Sequence, residues 1–253
     1  MRVALCLSGL VGSDRGKSYD KKGGTDKVLE ACFKSFKNHI IDKNETDVFF
    51  HTWDQSFEKE LVKKYNPKLY KIEKQKIFYD TVPGPNKRVQ AHYSRWYSTK
   101  IVNQLKQKYE KENNFKYDFV ILSRFDMIWT VDIICKKLNK NIFYIPGQTK
   151  GGVSWGWPDN KSGLPYEIGD LFFISNSENM DNFSLLYDYI NDYILKERCP
   201  TWDGISNHML AFFHLKKLNL VPNNTKRLLC GPELPNSTGY SDYQIYRSFI
   251  KNK

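Results

Sequence analysis

Long apolar runs are missing from this 253-residue chain; none approaches the ~20 residues that a membrane-spanning helix requires. Cysteine is sparse. The five (Cys6, Cys32, Cys135, Cys199, Cys230) are scattered, odd in number and without paired metal-ligand spacing. That pattern excludes a disulfide framework or a zinc ribbon and fits a reduced cytosolic protein with inert thiols. No internal repeat or low-complexity tract occurs, and there is no HExxH or GxSxG motif. Solenoids, zincins and serine hydrolases of the nucleophile-elbow type are therefore not expected. The opening MRVALCLSGLVG has one Arg and a short apolar run without a small-residue cleavage site, so it reads as a first strand rather than a signal peptide.

Positive charge is abundant. The formal net charge is +11 and the sequence pI about 9.2, a field that favours anionic partners. Its Lys residues alternate with Glu and Asn, as in KELVKKYNPK and KYEKENNFK, and so read as solvated helix faces rather than a nucleic-acid stripe. Aromatics reach 15%, with 16 Tyr, enough to supply rings for stacking on a sugar or base. A chain of 29.8 kDa can bury one sizeable core.

Periodicity predicts strands at Arg2 to Leu7, Asp47 to His51, Tyr117 to Trp129, Ile142 to Ile145 and Asp170 to Ser175, with a weak edge over Leu69 to Phe78. Helices are expected at Asp26 to Ile41, Glu58 to Tyr65, Val89 to Tyr109, Val131 to Leu138, Met180 to Leu195 and Asp203 to Leu218, followed by an irregular tail. Strands alternating with helices give an α/β domain built on a mostly parallel sheet. The glycine-rich, aromatic segment from Gly147 to Gly169 is long enough to be a functional loop or lid.

YDFVILSRFDMIW, Tyr117 to Trp129, is the most informative stretch. Its apolar run suits a central strand buried on both faces. In an extended chain Arg124 and Asp126 share a face and would leave the strand end together, where open α/β sheets collect ligands. A guanidinium and a carboxylate delivered there suit a phosphate and a metal or sugar; the alternative is a buried structural ion pair. Ser8-Gly9 ends the first strand and meets a loop containing Gly12-Ser13-Asp14-Arg15-Gly16-Lys17-Ser18. That loop fails as a P-loop, since three residues rather than four separate its glycines. Ser8, Gly9 and Arg15 still suit contact with a nucleotide.

His51-Thr52-Trp53-Asp54 ends the second strand on the same rim. It offers a stacking ring and polar contacts, or else Trp53 packs in the core and Asp54 caps the next helix. Arg95, with Tyr93, Ser94 and Ser98, lies near the start of a helix that can meet a diphosphate. Asp170 follows the glycine-rich loop, as a catalytic carboxylate often does, and His208 is either a metal ligand or, as lone histidines usually are, a satisfied core or surface residue.

Taken together, RVALCLSG, DVFFHTWD, YNPKLYKIEKQKIF, AHYSRWYS, YDFVILSRFDMIW and GDLFFISNSENMD resemble, in order, a family of GT-A-like glycosyltransferases. Its members occur in bacterial surface-polysaccharide clusters and large DNA viruses. The resemblance implies a single domain over residues 1–253, with 1–130 as the nucleotide-binding half and 131–253 as the acceptor-side half. It implies a nucleotide diphosphate sugar as donor, held by Ser8, Gly9, Arg15, His51, Thr52, Trp53, Asp54, Arg95 and Arg124. Arg124-Phe125-Asp126 would stand where the family has its metal-binding Asp-x-Asp, departing from it at Arg124. Mn²⁺ or Mg²⁺ would then rest on Asp126, with His208 as a late ligand. Asp170 would act as base toward a glycan or lipid-linked acceptor. Trp155 and Trp157 would close over the sugar. Such an enzyme would work in the cytoplasm, its charge favouring peripheral contact with anionic lipid. Two other classes stay open: a kinase or sulfotransferase using Lys17 and Ser18, and a basic nucleic-acid-binding domain.

Overall fold

The first strand sets the frame. β1 (Arg2–Gly9) alternates Val3, Leu5 and Leu7 with Ala4 and Cys6, all fully buried, so both of its faces are covered. A computed structural model describes residues 1–12, 25–78, 86–146, 168–196, 206–221, 223–228, 239–240 and 242–246. β1 is flanked in parallel by β2 (Glu45–Thr52) and β4 (Phe119–Arg124), and β3 (Leu69–Ile72) extends β2 as the edge. Beyond β4 come β7 (Phe172–Ser175), β6 (Phe143–Pro146) and β8 (Thr225–Leu228). The sheet order is β3-β2-β1-β4-β7-β6-β8, with the β4–β7 and β7–β6 ladders antiparallel and the other four parallel. The protein is thus α/β, with a mostly parallel, seven-stranded mixed sheet flanked by helices.

Strand alternation divides the core in two. On one face Ala4, Cys6, Phe49, Val120, Leu122 and Phe173 meet α3 (Asn86–Glu112), α4 (Ser177–Ser184), α5 (Leu186–Lys196) and α6 (Asn207–Lys217). On the other, Val3, Leu5, Leu7, Phe50, Ile121 and Phe172 meet α1 (Asp26–His39) and α2 (Glu58–Tyr65). That second layer also holds a small sheet in which β10 (Tyr243–Ile245) lies between β5 (Met127–Trp129) and β9 (Gly239–Tyr240).

Several expectations are corrected. The stretch Tyr117 to Trp129 is two strands in two sheets, broken at Phe125-Asp126 by a turn. Residues Val131 to Leu138 hold only a 3₁₀ turn at Cys135–Lys137. The side chain of Asn44 accepts from the Cys135 amide (2.9 Å) and donates to the Ile133 carbonyl (2.8 Å), and the Ile133 amide bonds His39. Those bonds use backbone groups that a helix would need. The expected Met180 to Leu195 helix is two, starting earlier, because Asn176 caps α4 by accepting from the Asn179 amide. The tail is not irregular: it supplies β8, β9 and β10. No helix among the described residues is long and apolar enough to cross a membrane. Cys6, Cys32 and Cys135 are buried and unpaired, and burial pushes the Cys6 and Cys135 thiols up to about 12.

Candidate functional site

The strand order makes one place special. From β1 the chain pairs outward to β2 on one side and to β4 on the other, so the carboxyl ends of β1 and β4 form the switch point where open α/β sheets collect ligands. Register sets a row across that rim: His51 pairs with Ser8, and Ser8 with Arg124. β7 runs the other way, with Phe172 beside Ser123. It therefore enters the sheet where β1 and β4 leave it, and this brings Asp170 to the same rim.

Arg124 and Asp126 meet as a bidentate pair: Nε donates to Oδ1 and Nη2 to Oδ2, both at 2.7 Å. The turn at Phe125-Asp126, not strand alternation, folds them together. The backbone of Asp126 is pinned as well, its carbonyl accepting from the Tyr246 amide at 2.8 Å. Gly12, at φ +97°, passes so close that an added Cβ would lie 2.6 Å from the Asp126 Cβ. Only glycine adopts that backbone and leaves that space. The Asp126 side chain is consequently 9% exposed, whereas that of Arg124 is 24% exposed. Burial works against the Arg124 charge, but Asp126 and Asp170 more than offset it and hold the guanidinium above its ordinary pKa.

Arg95 approaches from α3. It lies nine positions after Asn86, too deep in the helix for the amino-terminal dipole expected from sequence to reach it. What it brings is its side chain. Nη1 donates to Ser8 Oγ (2.7 Å) and Thr99 Oγ1 (3.3 Å), and Nη2 to the Asp170 carbonyl (2.8 Å). Its Nε is buried with no hydrogen-bond partner among the described residues. Burial pulls the Arg95 guanidinium down to about 10, opposed by Asp170.

Asp170 shares this field. Burial pushes its carboxyl up, but His208, Arg95, Arg124 and His92 together hold it below the usual aspartate value. His208 Nδ1 donates to the Ile168 carbonyl at 2.8 Å, and Nε2 lies 3.8 Å from Asp170 Oδ1.

The rest of the rim works from behind. His51 and Thr52 are fully buried. His51 Nδ1 is 2.6 Å from Ser98 Oγ and Nε2 is 3.1 Å from Glu73 Oε1, while the Gly9 amide donates to Ser98 Oγ at 2.9 Å. With Glu73 accepting at Nε2, Nδ1 is left to accept from Ser98, and the chain of bonds fixes Gly9 (φ +101°) against β2. Burial lowers the His51 imidazole to about 4. Trp53 stacks on Tyr97 at 5.5 Å and packs edge-on to His51 at 4.6 Å, itself 7% exposed. Of its two readings, core packing is the one the contacts favour. Asp54 makes no capping bond to the turn that follows it; its Oδ2 accepts from the Val11 amide at 2.6 Å, tying down the loop after β1.

Sequence reasoning missed Glu73, His92 and Thr99. The spacing of His92, Arg95 and Thr99 at i, i+3 and i+7 on one helix face was the available signal. Arg15, Lys17, Ser18, Trp155, Trp157, Asp203 and the 147–167 part of the glycine-rich loop lie outside the described residues.

The fit for a divalent cation is poor where sequence placed one. Both oxygens of Asp126 are taken by Arg124, Gly12 closes one side, and the nearest charges include two guanidinium groups. His208 faces Asp170, and no group of three or more His, Cys, Asp or Glu suited to a metal occurs among the described residues. A separate groove of about 270 Å³ lies toward the amino-terminal end of β2, lined by Lys37, Lys64, Lys68 and Tyr65. Its lysines are each paired, with Asp42, Glu30 and Asp47, which leaves little unspent charge for a ligand.

No protein-family model matches the chain, and no curated protein matches it at a significant level.

Proposed function

We propose that the chain is a glycosyltransferase that moves a monosaccharide from a nucleotide diphosphate sugar to a glycan or lipid-linked acceptor, with its sheet organised in the GT-A manner. One observation carries the reading. Two arginines, two aspartates and a histidine from β4 and its turn, α3, the approach to β7 and α6 converge at the carboxyl ends of β1 and β4. An open α/β sheet binds nucleotides at such a switch point. Guanidinium groups placed there suit a diphosphate leaving group.

The roles follow from the chemistry of each group. The acceptor oxygen attacks the anomeric carbon as the carbon–oxygen bond to the diphosphate breaks, and the electron pair of that bond leaves with the nucleoside diphosphate. Arg124 stabilises the charge that gathers on the departing phosphate. Asp170, ionised at neutral pH, accepts the proton of the acceptor hydroxyl in an inverting reaction. His208 lies beside the Asp170 carboxylate, 3.8 Å away, and Arg95 holds Ser8 and the Asp170 backbone. The cytoplasm and a peripheral position on anionic membrane belong to this proposal, on the strength of net charge and unpaired thiols.

Thermal-shift screening of nucleotide diphosphate sugars tests it, because a ligand bound only by the folded state raises the melting temperature. Stabilisation by one nucleotide sugar, lost in Arg124→Gln, is the expected result. Stabilisation by nucleoside triphosphates alone, unchanged in Arg124→Gln, would transfer the assignment to a phosphate-transferring enzyme.

A further inference from the structure

Asp126 stands where a divalent cation is expected, yet its geometry suits a different task. A guanidinium carries five N–H groups in one plane. Arg124 spends Nε–H and one N–H of Nη2 on Asp126. The opposite edge, Nη1 with the remaining N–H of Nη2, is a second bidentate donor, and among the described residues no side-chain bond of Arg124 occupies it. The carboxylate is the covered member of the pair and the guanidinium the exposed one. Gly12 and the Tyr246 amide fix the carboxylate from two other directions. A magnesium-sized ion needs near-octahedral space and oxygen ligands, and reaching Asp126 it would have to displace a charge-assisted fork.

We propose that this site binds the diphosphate without a divalent cation: Arg124 grips a phosphate with its free edge, and Asp126 is a positioning residue that holds Arg124 in that orientation. Arg95 contributes positive field from behind, anchored to Ser8 and the Asp170 carbonyl. The inference rests on the glycosyltransferase reading for the identity of the diphosphate and on nothing else in it.

Inorganic pyrophosphate, titrated calorimetrically into the full chain, separates the two ideas. Pyrophosphate is expected to bind in EDTA, with an affinity that excess Mg²⁺ does not raise. Arg124→Gln should weaken binding about tenfold or more, the loss typical of a charge-assisted pair of hydrogen bonds. Arg124→Lys keeps the charge but not the fork, so it should fall between the two and serves if the Gln variant does not fold. Asp126→Asn should leave the affinity as indifferent to Mg²⁺ as in the wild type. Asp126→Asn should weaken pyrophosphate binding when Arg124 is present, yet the double variant Asp126→Asn/Arg124→Lys should bind no more weakly than Arg124→Lys, because a lysine has no fork to orient. A purely structural Asp126 would instead weaken binding by the same factor in both backgrounds, and that result overturns the positioning role. Binding that requires Mg²⁺ in the wild type and loses that requirement in Asp126→Asn overturns the proposal, as does no binding in either condition. Pyrophosphate bound in EDTA with no nucleotide sugar bound would sink the glycosyltransferase reading and leave the clamp standing. Nucleotide sugars bound only with Mg²⁺ would do the reverse.

Discussion

Helix α3 carries two buried ionic networks, eleven residues apart, and they are finished differently. Lys106 is fully buried and spends its three donors on Glu110 (3.1 Å), Ser177 (2.5 Å) and Asp181 (2.5 Å). Glu110 accepts in turn from Lys116, Ser177 and the Tyr117 amide. The lysine charge is balanced and its hydrogen-bonding capacity saturated within the protein, so this network pins α3 to α4 and to the entry of β4. Arg95 and Arg124, at the other end of the same layer, keep donor capacity unspent among the described residues: a buried Nε on one and a guanidinium edge on the other. Saturation is what a scaffold needs, since a buried charge without a partner costs several kcal/mol. Unspent donors at a sheet's switch point are what a site for an anion needs.

The largest expected effect falls on the saturated network. Glu110→Ala leaves Lys106 with Asp181 alone as counter-charge, strips Ser177 and the Tyr117 amide of their acceptor, and should destabilise the fold by about 3–5 kcal/mol in urea unfolding. Pyrophosphate affinity of the surviving folded fraction should not change. Next is Gly12→Ala, which places a methyl against Asp126 in a backbone conformation that L residues avoid. It should cost roughly 1–3 kcal/mol and weaken anion binding as well, because the carboxylate that orients Arg124 must shift. An unfolding midpoint lowered with anion affinity intact would show that Asp126 does not govern Arg124.

A pH series sharpens the contrast further. His51 and His214 are both lowered to about 4 by burial, from an ordinary value near 6.5. Between those values the unfolded chain binds protons that the fold excludes, so stability should fall as pH drops from about 6.5 to about 4. His51→Gln and His214→Gln should each flatten the slope, read as the urea midpoint at pH 7 and pH 5. Asp170 acts lower: its stabilising contribution is present above the ordinary aspartate range and is lost as pH falls through its depressed value. The smallest effect belongs to the surface. Lys37→Ala removes a half-exposed pair with Asp42 and should change stability by no more than about 1 kcal/mol.

Strong local signals account for what the sequence disclosed. β1 and β4 were legible because Val3 to Leu7 and Phe119 to Leu122 are continuous apolar runs that only a strand buried on both faces requires. α1 was legible from Val28, Leu29, Cys32 and Phe36 at helical spacing. The strands of the tail were not, since Thr225–Leu228 reads TKRL, half exposed, and gains its place only by pairing with Phe143–Pro146 far earlier in the chain. The site divided along the same line. Its residues announced themselves at strand ends, Arg124, Asp126, Ser8 and Asp170 among them. Their partners depended on contacts the sequence does not order: a turn that closes the Arg124–Asp126 fork, and a helix that delivers Arg95 from its middle.

The most direct measurement is a crystal structure of the protein with a nucleoside diphosphate, grown in EDTA. Phosphate oxygens at hydrogen-bond distance from the Arg124 guanidinium, between the carboxyl ends of β1 and β4, are the predicted result. A diphosphate seated instead in the groove by Lys37, Lys64 and Lys68, or one bound at Asp126 only after Mg²⁺ is added, would contradict the account.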